Sequence, residues 1–79
     1  MPTRSATAVV RNPVLALPAA ADIQALPPEA RAALRAVLKQ ISADARIRAE
    51  KCWKTHKAPM AAYWKAVAVY ANHTSRICK

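Results

Sequence analysis

Cys52 and His56 stand four residues apart and His73 and Cys78 five apart, a C-x3-H and an H-x4-C pair. These are residue types that zinc takes in tetrahedral sets of four. If the chain around them forms two helices folded back at a bend near Pro59, the first pair lies beside the bend. The second then lies roughly 20 to 28 Å beyond it, at about 1.5 Å rise per residue. One chain cannot close that site, so neither a metal nor another cofactor is expected. The same separation argues against a Cys52–Cys78 bridge, which needs its Cα atoms within about 7 Å. Cys52 and His56 at helical spacing would suit a nucleophile and its base. No segment supplies the oxyanion donors or the cleft that such chemistry requires, and a helical pair this small encloses little. An enzyme is not expected, and two cysteines are too few for a disulfide framework, which leaves a reduced, cytoplasmic setting as the expectation.

Charge is the stronger signal. Thirteen Lys and Arg against four Asp and Glu give a net charge of +9, a field that attracts polyanions. Arg31, Arg35, Lys39, Arg46 and Lys57 recur at multiples of three or four along one expected helix, with Trp53 on the same side and Lys54 close by. Such a row can follow a phosphate backbone or meet acidic side chains, and an aromatic among cations can stack on a base or anchor a protein contact. The expected binding set is therefore Arg31, Arg35, Lys39, Arg46, Trp53, Lys54 and Lys57. The plain alternative is a solvated charged flank with Trp53 packed under the N-terminal segment. No helix-turn-helix, zinc-finger or RNA-binding signature fixes a groove or a base.

The elements that must position these residues are legible from prolines and periodicity. Pro27-Pro28 suit a helix's first positions, and Glu29 follows them at the positive end of the dipole. At 100° per residue Ala30, Leu34, Val37, Leu38, Ile41, Ala45 and Cys52 share one face, which predicts an amphipathic helix from about 28 to about 56. Pro59 disfavours helix at Ala58 and opens a second helix. On it Met60, Tyr63, Trp64, Val67, Ala71, Thr74 and Cys78 form one stripe, with Lys65, Asn72 and Arg76 opposite. Leu34, Leu38, Ile41, Tyr63, Trp64, Val67 and Tyr70 are the expected core or oligomer interface, because large side chains on alanine-rich helices supply most of the area to bury. Ile47 and Val69, off these stripes, suggest a second contact surface that a homodimer would use.

Ahead of this pair, residues 1–26 read as an extended arm and residues 27–79 as a helical hairpin. In the arm, "TAVV" and "VLAL" are short apolar runs split by the turn signal "RNP", and "ADIQAL" suits one helical turn. Arginines and hydroxyl residues without acids before Asp22 resemble a transit peptide, but Pro13 and Pro18 interrupt that pattern. An arm retained in the functional protein, lying on its own helices or on a partner, is expected. No apolar run approaches the roughly 18 residues that a membrane span needs. With 79 residues, twenty of them alanine and none phenylalanine or glycine, one domain is the limit. Burial of alanine yields little at about 25 cal/mol per Å², so a partner, a second copy included, is anticipated.

The stretch "HKAPMAAYWKAVAVYA" following "LPPEARAALRAVL" resembles short uncharacterised helical accessory proteins of proteobacterial phages and prophages, over about the last 50 residues. That resemblance implies an element that binds DNA or blocks a host machine, CRISPR effector complexes included. It assigns no site residues. The overall expectation is an all-α antiparallel helical hairpin, dimeric, binding a host protein or ribonucleoprotein as an anti-CRISPR-like inhibitor. Its alternative is a nucleic-acid-binding accessory factor that uses the basic flank on DNA or RNA.

Overall fold

The computed structural model describes residues 11–79. Pro13–Ala16 make one 3₁₀ turn, followed by α1 (Ala19–Gln24), α2 (Pro28–Lys54) and α3 (Ala58–Ile77). Among the described residues the chain is helical and has no strand. The two long helices pack against each other, while the 3₁₀ turn and α1 rest on α3.

Each boundary has a local cause. Pro27 is extended (φ −55°, ψ 150°), the conformation that a following proline imposes, and Pro28 starts α2 where its missing N–H would be unpaired anyway. Glu29 in the first turn and Lys51 and Lys54 in the last complement the helix dipole. The expected end near residue 56 moves back to Lys54 because Thr55 and His56 form the cap. His56 has φ 61°, its N–H donates to Trp53 O (3.2 Å), and Lys57 N–H donates to Cys52 O (2.8 Å). This pair of bonds is the Schellman closure, which is usually built on glycine at the left-handed position. A side chain there costs about 1–2 kcal/mol. Replacing His56 by Gly should therefore raise stability by about 0.5–1 kcal/mol after the entropy glycine adds to the unfolded chain, or roughly 4 °C in Tm. A fall in the denaturation midpoint would show that the imidazole makes a contact outweighing the strain. Ala58 is already helical, so α3 opens one residue before Pro59.

The "VLAL" tract is not extended as the sequence suggested. Leu15 N–H donates to Asn12 O and Leu17 N–H to Val14 O, both at 3.0 Å, and the turn is tied to α3 by the Asn12 side-chain amide, which donates to His73 O at 2.7 Å. Pro13, with φ preset for the first position of a turn, favours this over a strand. The "TAVV" tract lies outside the described residues. "ADIQAL" does carry a helical turn, α1, whose Ala20 is buried.

Packing between α2 and α3 follows a seven-residue rhythm. Arg31, Arg35, Leu38, Ser42, Ala45, Ala49 and Cys52, spaced alternately four and three, are the buried or half-buried row of α2. Ala61, Trp64, Ala68, Ala71, Ser75 and Cys78, spaced three and four, are the matching row. This is the period of helices wound side by side, with small residues where the axes come closest. The approach is near enough for Ser42 Oγ–H to reach the main-chain oxygen of Ala68 at 2.8 Å.

The expected faces are thus rotated. Val37 and Ile41 are 56% and 41% exposed, and Ser42 and Ala49 take their place. Leu34, Leu38, Trp64 and Val67 are half-buried. Tyr63 and Tyr70, at 57% and 60% exposed, are not core residues of this chain, because alanine and serine already fill the seam on which larger side chains were expected.

Candidate functional site

Near the joint between α2 and α3 the one-carbon side chains of Ala49, Ala58, Ala61 and Ala62 leave an open groove of about 500 Å³. Trp53 forms one wall and is 68% exposed, and among the described residues of the N-terminal segment, 11–26, none packs over it. Arg46 and Lys65 stand on the rim, together with Glu50. The Glu50 carboxylate is 3.8 Å from Lys54 Nζ, one turn along α2, so the rim keeps a positive character. A groove with an alanine floor, an indole wall and flanking cations can take an apolar side chain and an acidic group beside it.

The structure gathers part of the basic row and disperses the rest. Lys39, Arg46 and Trp53 are seven residues apart and exposed on one flank of α2. Lys57 is exposed in the joint as the cap of α3, and Lys54 is exposed and paired with Glu50. Arg31 and Arg35 are half-buried at the edge of the seam. Arg31 Nη1 donates to Lys79 O at 3.1 Å, and the Nε atoms of both arginines are buried with no hydrogen-bond acceptor. Neither guanidinium is placed to share the groove with Trp53. Lys65 was assigned to a face opposite the aromatic stripe, and its role at the rim was missed. The signal lay in its spacing of four from Ala61, which sets it beside the seam.

Two residues along α2 turn the surface by about 200°, so Arg46 and Arg48 leave on opposite flanks. Arg48 does not join the basic row. Its guanidinium carbon lies 5.3 Å from the Trp64 ring centroid, and Tyr63 meets the same ring edge-on at 5.2 Å and 81°. This cation–π and aromatic cluster binds the opposite flanks of the two helices together.

The thiols stand apart from this groove. Cys52 is half-buried in the seam, and Cys78 is buried with its S–H directed at Thr74 O, 3.4 Å away; both are free. His56 belongs to the helix cap, off the helical phase that would have aligned it with Cys52. Among the described residues no group of three or more His, Cys, Asp or Glu is gathered to hold a metal ion. Among them, too, no helix is long and apolar enough to cross a membrane. Comparison with protein-family models, with curated proteins and with solved structures finds no match.

Proposed function

We propose that this chain is a small, basic, non-catalytic binding protein. In this reading it is an accessory inhibitor of phage or mobile-element type, acting in the cytoplasm on a host protein or ribonucleoprotein. The observation that carries the proposal is an indole left 68% exposed beside an alanine-floored groove with Arg46 and Lys65 on its rim. An exposed tryptophan among cations has the composition of an interface hot spot. A concave apolar floor suits a protruding side chain of a protein better than a phosphate backbone, which needs no apolar pocket. The mobile-element setting rests on the sequence resemblance alone.

An antiparallel course of α2 and α3 is part of this reading. Arg31 reaches Lys79, and Ser42 reaches Ala68, so positions later in α2 meet positions earlier in the following segment. That course brings Trp53 next to the start of α3 and so makes the groove a product of the bend.

Capture from lysate of the host cells, using the full chain with and without nuclease, tests the assignment. A discrete protein that stays bound after nuclease treatment and is lost with the Arg46→Glu/Lys65→Glu double variant is the expected result. Recovery of nucleic acid alone, with every protein released by nuclease, would replace this reading with a nucleic-acid-binding one.

A further inference from the structure

The flank opposite the groove is largely apolar, with Arg48 among its side chains, and among the described residues nothing covers it. Val37 and Ile41 of α2 and Met60, Tyr63 and Tyr70 of α3 are each between 41% and 60% exposed, and the contact of Arg48 with Trp64 places the two rows side by side. We propose that this flank pairs with the same flank of a second copy, so that two chains form a four-helix bundle with both basic grooves facing outward.

Three observations select a second copy as the occupant. Leu34, Ile41 and Arg48 recur at seven residues, as do Met60 and Val67, and Tyr63 and Tyr70. This is the rhythm of the seam inside the chain, and rows of that period accept the side chains of other helices rather than an irregular segment. Charge sets the orientation. Copies carrying +9 each repel one another, and contact through this flank holds Lys39, Arg46 and Lys65 of each copy on the far sides of the pair, leaving Arg48, whose guanidinium lies over the Trp64 ring, as a cation at the contact. Area agrees with both. The apolar flank supplies roughly 500 Å² per copy, so a symmetric pair reaches about 1,000 Å², the lower limit for a specific interface. A twofold arrangement makes the contact self-complementary and closes it at two chains.

Light scattering coupled to size exclusion, with the full chain at about 100 µM so that a weak pair is populated, reads the state directly. The expected mass is twice 8.6 kDa. Val37→Glu and Tyr70→Glu each place a charge on the flank at a side chain more than half exposed in the single chain, so neither disturbs its own core. Both should return the mass to one chain with the helical circular dichroism signal retained, whereas Ile47→Lys, on the outer side of α2 and part of the different surface that the sequence pattern offers to a homodimer, should leave the pair intact. A dimer that survives both glutamate variants overturns the proposal, because a different surface then holds it. A monomeric parent chain overturns it too, and nitration by tetranitromethane identifies what replaces it. Protection of Tyr63 and Tyr70 in that monomer would assign the flank to residues 1–10, and full nitration of both would leave it open to an unrelated protein.

Discussion

Trp53→Ala is expected to weaken binding of the captured partner by roughly 10- to 100-fold, about 1.4–2.8 kcal/mol, while moving the unfolding midpoint by less than about 0.5 kcal/mol. The two halves of this expectation come from one number. With 68% of its surface open, the indole has little to lose from the folded chain, and nearly all of its contact area is available to a partner. Large, rigid aromatic side chains in that position dominate interface energetics because ordering them costs little rotamer entropy. Trp53→Phe should recover part of the affinity by refilling the wall of the groove. Reversal of Arg46 or Lys65 acts differently: exposed rim charges steer encounter and are screened by salt, so those variants should slow association most at low ionic strength. Titration calorimetry for affinity and chemical denaturation for stability separate the roles. Unchanged affinity in the alanine variant would remove Trp53 as an anchor. A loss of stability as large as the loss of affinity would make it a structural residue instead.

What could be read from the sequence were the features that proline and charge dictate locally. Pro27-Pro28 marked the start of α2, Pro59 marked the start of α3 to within one residue, and "ADIQAL" showed its helical turn. The phase of the seam was harder to read. Hydrophobic periodicity counts large apolar residues, and here the buried row is written largely in alanine and serine, with Val37, Ile41, Tyr63 and Tyr70 outside it. Counting at 3.6 residues per turn, rather than at the 3.5 of helices packed side by side, added to the rotation. The cap at His56 was hidden because the left-handed position carries an imidazole where glycine would have announced it. For the site, Arg46 and Trp53 were correctly placed on one flank, but Lys65 and the alanine floor belong to the second helix. Only the pairing of α2 with α3 brings them together. Likewise Arg31 and Arg35 have the spacing of a surface row, yet they continue the seven-residue rhythm into the seam, which charge patterning alone does not reveal.

Ala68→Leu is expected to cost about 2–3 kcal/mol or more, because it adds three carbons where the two helices come closest. Ala68 is 1% exposed, and its main-chain oxygen accepts the Ser42 hydroxyl at 2.8 Å. A branched side chain there cannot be housed without moving one helix, and moving it breaks that bond as well. For a chain of this length total stability is on the order of 4–12 kcal/mol, so the substitution should lower Tm by roughly 10 °C or more. Two companions divide the effect. Ser42→Ala removes only the hydrogen bond and should cost about 1 kcal/mol, whereas Ala66→Leu, exposed on the same helix, should fall within about 0.5 kcal/mol of the parent. Ala68→Leu behaving like Ala66→Leu in thermal denaturation would mean that the seam has room to spare and that the small residues do not set the helix spacing. If the order holds, close approach explains the unusual distribution of side chains in this protein. Small residues, Ser42, Ala45, Ala61, Ala68, Ala71 and Ser75, line the contact between its own helices, and Trp53, Tyr63, Tyr70, Lys39, Arg46 and Lys65 are left on the two flanks, where other molecules can meet them.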